Sequence, residues 1–213
     1  MKKISSLILV SILLLSVVGC GKSPVLPPVR NGTGRLRLEF AQDLTFESIY
    51  SDAVAVVLIQ IGDWLGEDTD SCKTIYEATV LRCFKGSVPE TFTYLQNGCS
   101  LATINNYPLL TSGNEQLVFL YDASQPDRES LYGSIASYTT VFDVSCDKSG
   151  NRYYGARSEM FAETLDISCN YIHNTTIYNE FLESITARDA VFSELTFKYI
   201  FSETDFLTLI ENQ

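Results

Sequence analysis

The chain has 213 residues, with 15 lysines and arginines against 26 aspartates and glutamates, for a formal net charge of −11. A surface this acidic repels phosphate backbones, so the charge argues against a nucleic-acid partner and reads as solubility. With 46% apolar and 12% aromatic residues, the composition is that of one folded unit with a real core, in which a second independent domain would be crowded.

Residues 1–19 read as a removable export signal. Lys2 and Lys3 give a positive start, residues 4–18 are an almost unbroken apolar run, and small Gly19 precedes Cys20. That order is the one a cleavable signal requires. The run is shorter than the roughly 20 residues needed to cross a hydrocarbon core, so a spanning helix is not expected.

Val17-Val18-Gly19-Cys20 resembles the lipobox of bacterial lipoproteins. The resemblance implies a diacylglycerol on the Cys20 thiol, with cleavage that leaves Cys20 as the new N-terminus. More than one acyl chain on that residue then gives stable anchoring, so the membrane is an expected partner through lipid. Loss of Lys2 and Lys3 takes the charge from −11 to −13, which leaves the lipid to do the anchoring. Gly21 stands where the family's inner-membrane retention signal has Asp, and inner and outer membrane both stay open. Residues 20–35, rich in Gly, Ser and Pro, read as a linker with an end-to-end distance of roughly 20–25 Å. Residues 36–213 are then a single domain.

Within that domain, residues 45–50 read as a short helical turn and residues 53–61 as a strand buried on both faces, because Ala-Val-Ala-Val-Val-Leu-Ile is rich in β-branched side chains. Residues 62–71 are acidic, contain glycine and read as a loop. Residues 74–84 alternate as a long strand, Lys85-Gly86 turns the chain, and residues 90–96 form a third strand ended by Asn97-Gly98. A fourth strand follows at 116–121. A fifth is expected over 132–144, and after the turn at 147–151 a sixth at 152–156. Ile177, Phe181, Leu182 and Ile185 lie on one helical stripe. Residues 191–201 fit strand or helix equally, and Ser202-Glu203-Thr204-Asp205 reads as a cap before a short helix. The expectation is a mainly β fold, a five- to six-stranded small barrel with a helix before it and helices after it.

Here the residues carry a second resemblance. Ser51-Asp52-Ala53-Val54-Ala55-Val56-Val57, then Tyr76-Glu77-Ala78-Thr79-Val80-Leu81-Arg82-Cys83-Phe84-Lys85-Gly86, then Pro108-Leu109-Leu110 with Gly113 and Gln116-Leu117-Val118-Phe119-Leu120 are similar to bacterial extracytoplasmic proteins with a netrin-like OB barrel. The pattern resembles the superfold of the tissue inhibitors of metalloproteinases. Those animal inhibitors chelate a protease zinc with a free N-terminal cysteine. A lipidated Cys20 does not carry that role over.

Five cysteines remain: Cys72, Cys83, Cys99, Cys146 and Cys169. In an exported chain the expectation is two disulfides and one spare thiol, with fewer bridges in an organism living without oxygen. Cys72 with Cys99 and Cys146 with Cys169 are the expected pairs, each closing a modest loop, and Cys83 is the expected buried spare. With no Cys-x-x-Cys and His173 as the single histidine, no metal site and no cofactor are expected. His173 would have to serve as base for any Ser-His-Asp or Cys-His hydrolase, and no Gly-x-Ser-x-Gly accompanies it. A loop-packed histidine is the plainer reading.

Asp63, Glu67, Asp68 and Asp70 cluster beside Trp64, the only tryptophan. They lack the spacing of a calcium loop. They are taken as a candidate binding edge around Trp64, against the alternative that Trp64 covers one end of the barrel. The function expected is a non-enzymatic, lipid-anchored module of the bacterial cell envelope that binds or helps assemble a protein, such as an envelope protein partner, or a small ligand. A protease inhibitor or an envelope hydrolase is the alternative.

Overall fold

A computed structural model describes the backbone of Gly34–Leu36 together with residues 45–104, 107–157, 170–189 and 196–211. In chain order the elements are β1 (Gly34–Leu36), α1 (Phe46–Asp52), β2 (Ala55–Asp68), β3 (Lys73–Gly86), β4 (Thr91–Asn97), β5 (Ala102–Ile104), β6 (Glu115–Asp122) and β7 (Leu131–Ser134). A 3-10 turn (Ser137–Thr140), β8 (Val141–Cys146), β9 (Arg152–Ala156), a second 3-10 turn (Tyr171–His173), α2 (Thr175–Arg188), β10 (Tyr199–Ser202) and α3 (Glu203–Glu211) complete it. The signal, Cys20 and the linker up to Thr33, and Cys169, lie outside the described residues.

Five strands close into a barrel. β2 pairs antiparallel with both β3 and β6, β3 with β4, and β7 joins β4 in parallel and β6 antiparallel. Numbered within the barrel, the order is 1-2-3-5-4-1, the OB-like order. β8, β9 and β10 extend the sheet outward from β6, and β1 pairs in parallel with β5.

The buried run of β2 explains why one strand sits in two cores. Ala55, Val57, Ile59 and Ile61 join Tyr76, Ala78, Phe92, Tyr94, Val118 and Leu120 in the barrel interior. Val56 and Leu58 point the other way, onto a second core with Leu117, Phe119, Phe142, Tyr154, Phe201 and Phe206. That outer face is covered by Phe46 and Ile49 of α1 and by Phe206 of α3. Both helices start on reciprocal side-chain caps. Thr45 accepts from Ser48 N at 3.1 Å, and Ser202 Oγ accepts from Asp205 N at 3.1 Å while Asp205 Oδ2 accepts from Ser202 N at 3.0 Å.

Three expectations are corrected. Residues 62–68 are not a loop: β2 continues through them against β3. The predicted fifth strand over 132–144 is two, broken where Ala136 and Ser137 take left-handed backbone at φ 52° and 57° at the entry to the 3-10 turn. Cys83 is exposed rather than buried. β3 bulges on either side of it, with Leu81 and Phe84 skipped in the pairing with β2. Its pairing with β4 ends at Thr79, so Leu81, Arg82 and Cys83 lie on a stretch of β3 without that neighbouring strand and are exposed.

The connection between β4 and β6 plugs one barrel end with buried Tyr107, Leu109 and Leu110. It is fixed by the Gln96 amide, which donates to Pro108 O at 2.8 Å and accepts from Leu110 N at 3.1 Å. A buried irregular segment needs such partners for its backbone.

Candidate functional site

The plugged end is also where the β2–β3 hairpin projects, so the predicted binding edge can be placed against it. The extra residue Leu65 lies between the pairs Trp64–Tyr76 and Gly66–Ile75. This bulge leaves Trp64 opposite Tyr76 and Glu67 opposite Thr74, two residues of β3 that share the inner face. Trp64 is partly buried against the barrel core, covering its end. Its Nε1 is buried with no hydrogen-bond partner among the described residues.

The acidic residues separate. Glu67 accepts from Ser100 N at 2.8 Å and from Ser100 Oγ at 2.5 Å. Asp68 accepts from Ser71 Oγ at 2.6 Å and from Asp70 N at 3.0 Å. These bonds, with Ser71 foremost, hold its carboxyl below the usual range. Asp63 and Asp70 are exposed. Among the described residues no group of three or more His, Cys, Asp or Glu could hold a metal ion. The carboxylates form the hairpin turn and its tie to Ser100. Beyond Gln60, β2 has no further pairing with β6, and its bulges and outward acids are the devices by which a strand edge avoids adding another chain.

Cys72 and Cys99 form the expected disulfide between the hairpin tip and the segment after β4, with Cα atoms 4.9 Å apart. Cys146 is exposed at the end of β8, with no disulfide partner among the described residues. Its expected partner Cys169 is outside the described residues. His173 is exposed on a 3-10 turn ahead of α2.

Sequence reasoning missed a polar seam running through the plugged end. A small cavity there is lined by Tyr94, Gln96, Tyr107, Ser134, Ser137 and Tyr138. Tyr94 Oη and Ser134 Oγ are 2.5 Å apart, and burial pushes the Tyr94 hydroxyl up beyond its ordinary titration. Tyr107 continues the seam inward, receiving a hydrogen bond from Gln116 Nε2 at 2.5 Å. Gln116 Nε2 also donates to Asp143 Oδ1 at 3.2 Å.

Asp143 pairs with Arg157, whose guanidinium lies 4.4 Å from the centre of the Tyr107 ring. Burial raises the Asp143 carboxyl despite Arg157, and burial with the Asp143 charge raises Tyr107. The left-handed pair Ala136-Ser137 sits beside the cavity, and two such non-glycine residues cost about 1–2 kcal/mol each. Chemically, the seam offers fixed hydroxyl and amide groups, and both tyrosines stay protonated at neutral pH. That is equipment for hydrogen bonding.

A second cluster fastens the C-terminal helix. Glu203 Oε1 accepts from Arg152 at 3.0 Å and from Tyr154 Oη at 2.8 Å, and Oε2 lies 3.1 Å from Arg82. Burial works against ionised Glu203, but Tyr154 and Arg152 outweigh it and keep the carboxyl below its ordinary value. This cluster joins β3, β9 and α3. No family model matches the chain, and no curated protein matches it.

Proposed function

We propose that the protein is a lipid-anchored binding or assembly module of the bacterial cell envelope, a barrel of netrin-like kind held outside the cytoplasm by lipid on Cys20. The observation that carries the reading is the run of charged start, apolar core and Val17-Val18-Gly19-Cys20, followed by a linker and one folded domain. Binding rather than turnover is supported by how the ionisable groups are used. Asp143 is matched by Arg157 and Glu203 by Arg152 and Arg82, so these charges are spent on holding strands and helix together. The protein has no cofactor in this reading, and its partner is an envelope protein.

The test is fractionation of the wild type and of Cys20→Ser expressed in a bacterial host. The wild type is expected with the membranes, extracted only by detergent, and the variant is expected to be lost from that fraction. Equal membrane association of the two would overturn the anchor. Chemical cross-linking of the anchored protein then tests the binding role. A single recurrent envelope partner supports it, and turnover in a hydrolase panel with no cross-linked partner contradicts it.

A further inference from the structure

We infer that the hairpin end of the barrel is the end turned toward the lipid surface, with the loops at the opposite end turned away from it. The inference rests on the lipid anchor proposed above and deepens it. Its carrying observation is where the chain enters the fold. β1 begins at Gly34, paired with Ala102 of β5. The carbonyl of Ala102 accepts from Cys99 N at 2.8 Å, and Cys72 Sγ lies 3.3 Å from the same oxygen. Cys72 and Cys99 are themselves joined. The residue on which the tether ends is therefore paired with a neighbour of the disulfide at the hairpin tip.

The other end of the barrel is fixed by the register. β6 runs from Glu115 opposite Gln60 to Leu120 opposite Ala55, so the loop of residues 123–130 between β6 and β7 lies beyond the start of β2, while the hairpin tip lies beyond its end. The 14 residues of β2 span about 40–45 Å if straight and less where the strand bulges. From Cys20 to Gly34 is 14 residues by number, a reach of at most about 50 Å and typically near 20 Å for a flexible chain. A flexible chain of that many residues thus typically spans less than the length of β2, and Gly34 enters the fold at the hairpin end. Swinging the 123–130 loop onto the membrane would require the tether to run back along the whole length of the domain.

The acidic tip shapes how close that approach is. Asp63, Asp68 and Asp70 are exposed there and are repelled by anionic head groups. The tip faces the bilayer without entering it, and the Cys72–Cys99 bridge sits where any pull on the tether is delivered.

The test uses the full chain, purified with its lipid and reconstituted into phosphatidylcholine vesicles carrying a head-group acceptor dye. A donor dye is attached through p-azidophenylalanine placed at Asp70 or at Asp127, two exposed acidic positions at opposite ends, which leaves the native thiols untouched. Energy transfer is expected to be about two-fold or more stronger from position 70, given the tens of ångströms of strand between the sites. Equal transfer, or stronger transfer from position 127, in protein that floats with the vesicles overturns the orientation and leaves the anchor standing. Protein that does not float with the vesicles overturns the anchor and the orientation with it.

Discussion

Arg157 holds Asp143 in an ion pair whose side chains are only 7% and 5% exposed. The pairing follows from three adjacent strands. Asp143 of β8 sits between Gln116 of β6 on one side and Gly155 of β9 on the other, and Arg157 lies two residues beyond Gly155. A buried charge without its partner is costly, while an apolar pair of similar volume often is not. Asp143→Ala is therefore expected to lower unfolding free energy by about 3–5 kcal/mol. The double variant Asp143→Leu with Arg157→Met is expected to lose much less, measured by urea denaturation. A double variant as unstable as the sum of the two single ones would contradict this account of the pair.

Gly155 is a steric requirement. A Cβ there would lie 2.5 Å from the Phe181 ring and 2.8 Å from that of Phe197, both rings buried and stacked edge to face against each other. Gly133 is crowded by Tyr121 at 2.7 Å, but Tyr121 is only half-buried and can swing outward. Gly155→Ala is expected to cost about 1–3 kcal/mol, and Gly133→Ala clearly less. Thermal unfolding of the two variants side by side decides it, and equal losses would show that the α2 face repacks freely.

Glu203 gives the fold an acid-side dependence. Its carboxyl is held below the ordinary value of 4.5 by Tyr154 and Arg152 against the opposing effect of burial. A carboxylate with a lowered folded-state pKa contributes stability above its unfolded value, and that contribution fades as pH falls through the folded one. The wild type should therefore lose stability below about pH 4.5 more steeply than Glu203→Gln. Parallel stability curves from pH 6 to about 3 would contradict the role given to this residue.

How much of this was readable from the chain depends on where pairing overrides local composition. The first half of β2 was legible because Val56 and Leu58 alternate with Val57 and Ile59 and all four are apolar, as a doubly buried strand demands. β9 matches its predicted span, and Ile177, Phe181 and Ile185 fall on α2 as the helical stripe required. The run from Gly62 to Asp68 has the composition of a loop, yet its pairing with β3 keeps it extended, which local propensity cannot register. The break at Ala136-Ser137 has no glycine or proline to announce it. Asp143, alone in the apolar stretch Val141–Val144, was a visible signal of a buried charge. Its partner 14 residues on was not, because only strand register brings the two together. The seam of Tyr94, Tyr107 and Ser134 is likewise a product of topology.

The Cys72–Cys99 bridge closes a loop with a sequence separation of 27, which corresponds to about 3–4 kcal/mol in the chain-entropy account. Cys72→Ser with Cys99→Ser is expected to lose that amount in urea denaturation. Because the bridge ties the hairpin tip beside β5, the same variant should also show faster amide exchange over β5. Unchanged exchange there would mean that the hydrogen bond of Thr74 Oγ1 to Gly98 O at 2.8 Å already holds the tip.

The central claim is the anchor, and intact-mass and peptide spectrometry of the protein extracted from the membranes of its native host tests it most directly. The account predicts a chain that begins at Cys20 and carries the added mass of a diacylglycerol with or without a further acyl chain. A chain that retains Met1, or one that begins at an unmodified Cys20, would contradict it.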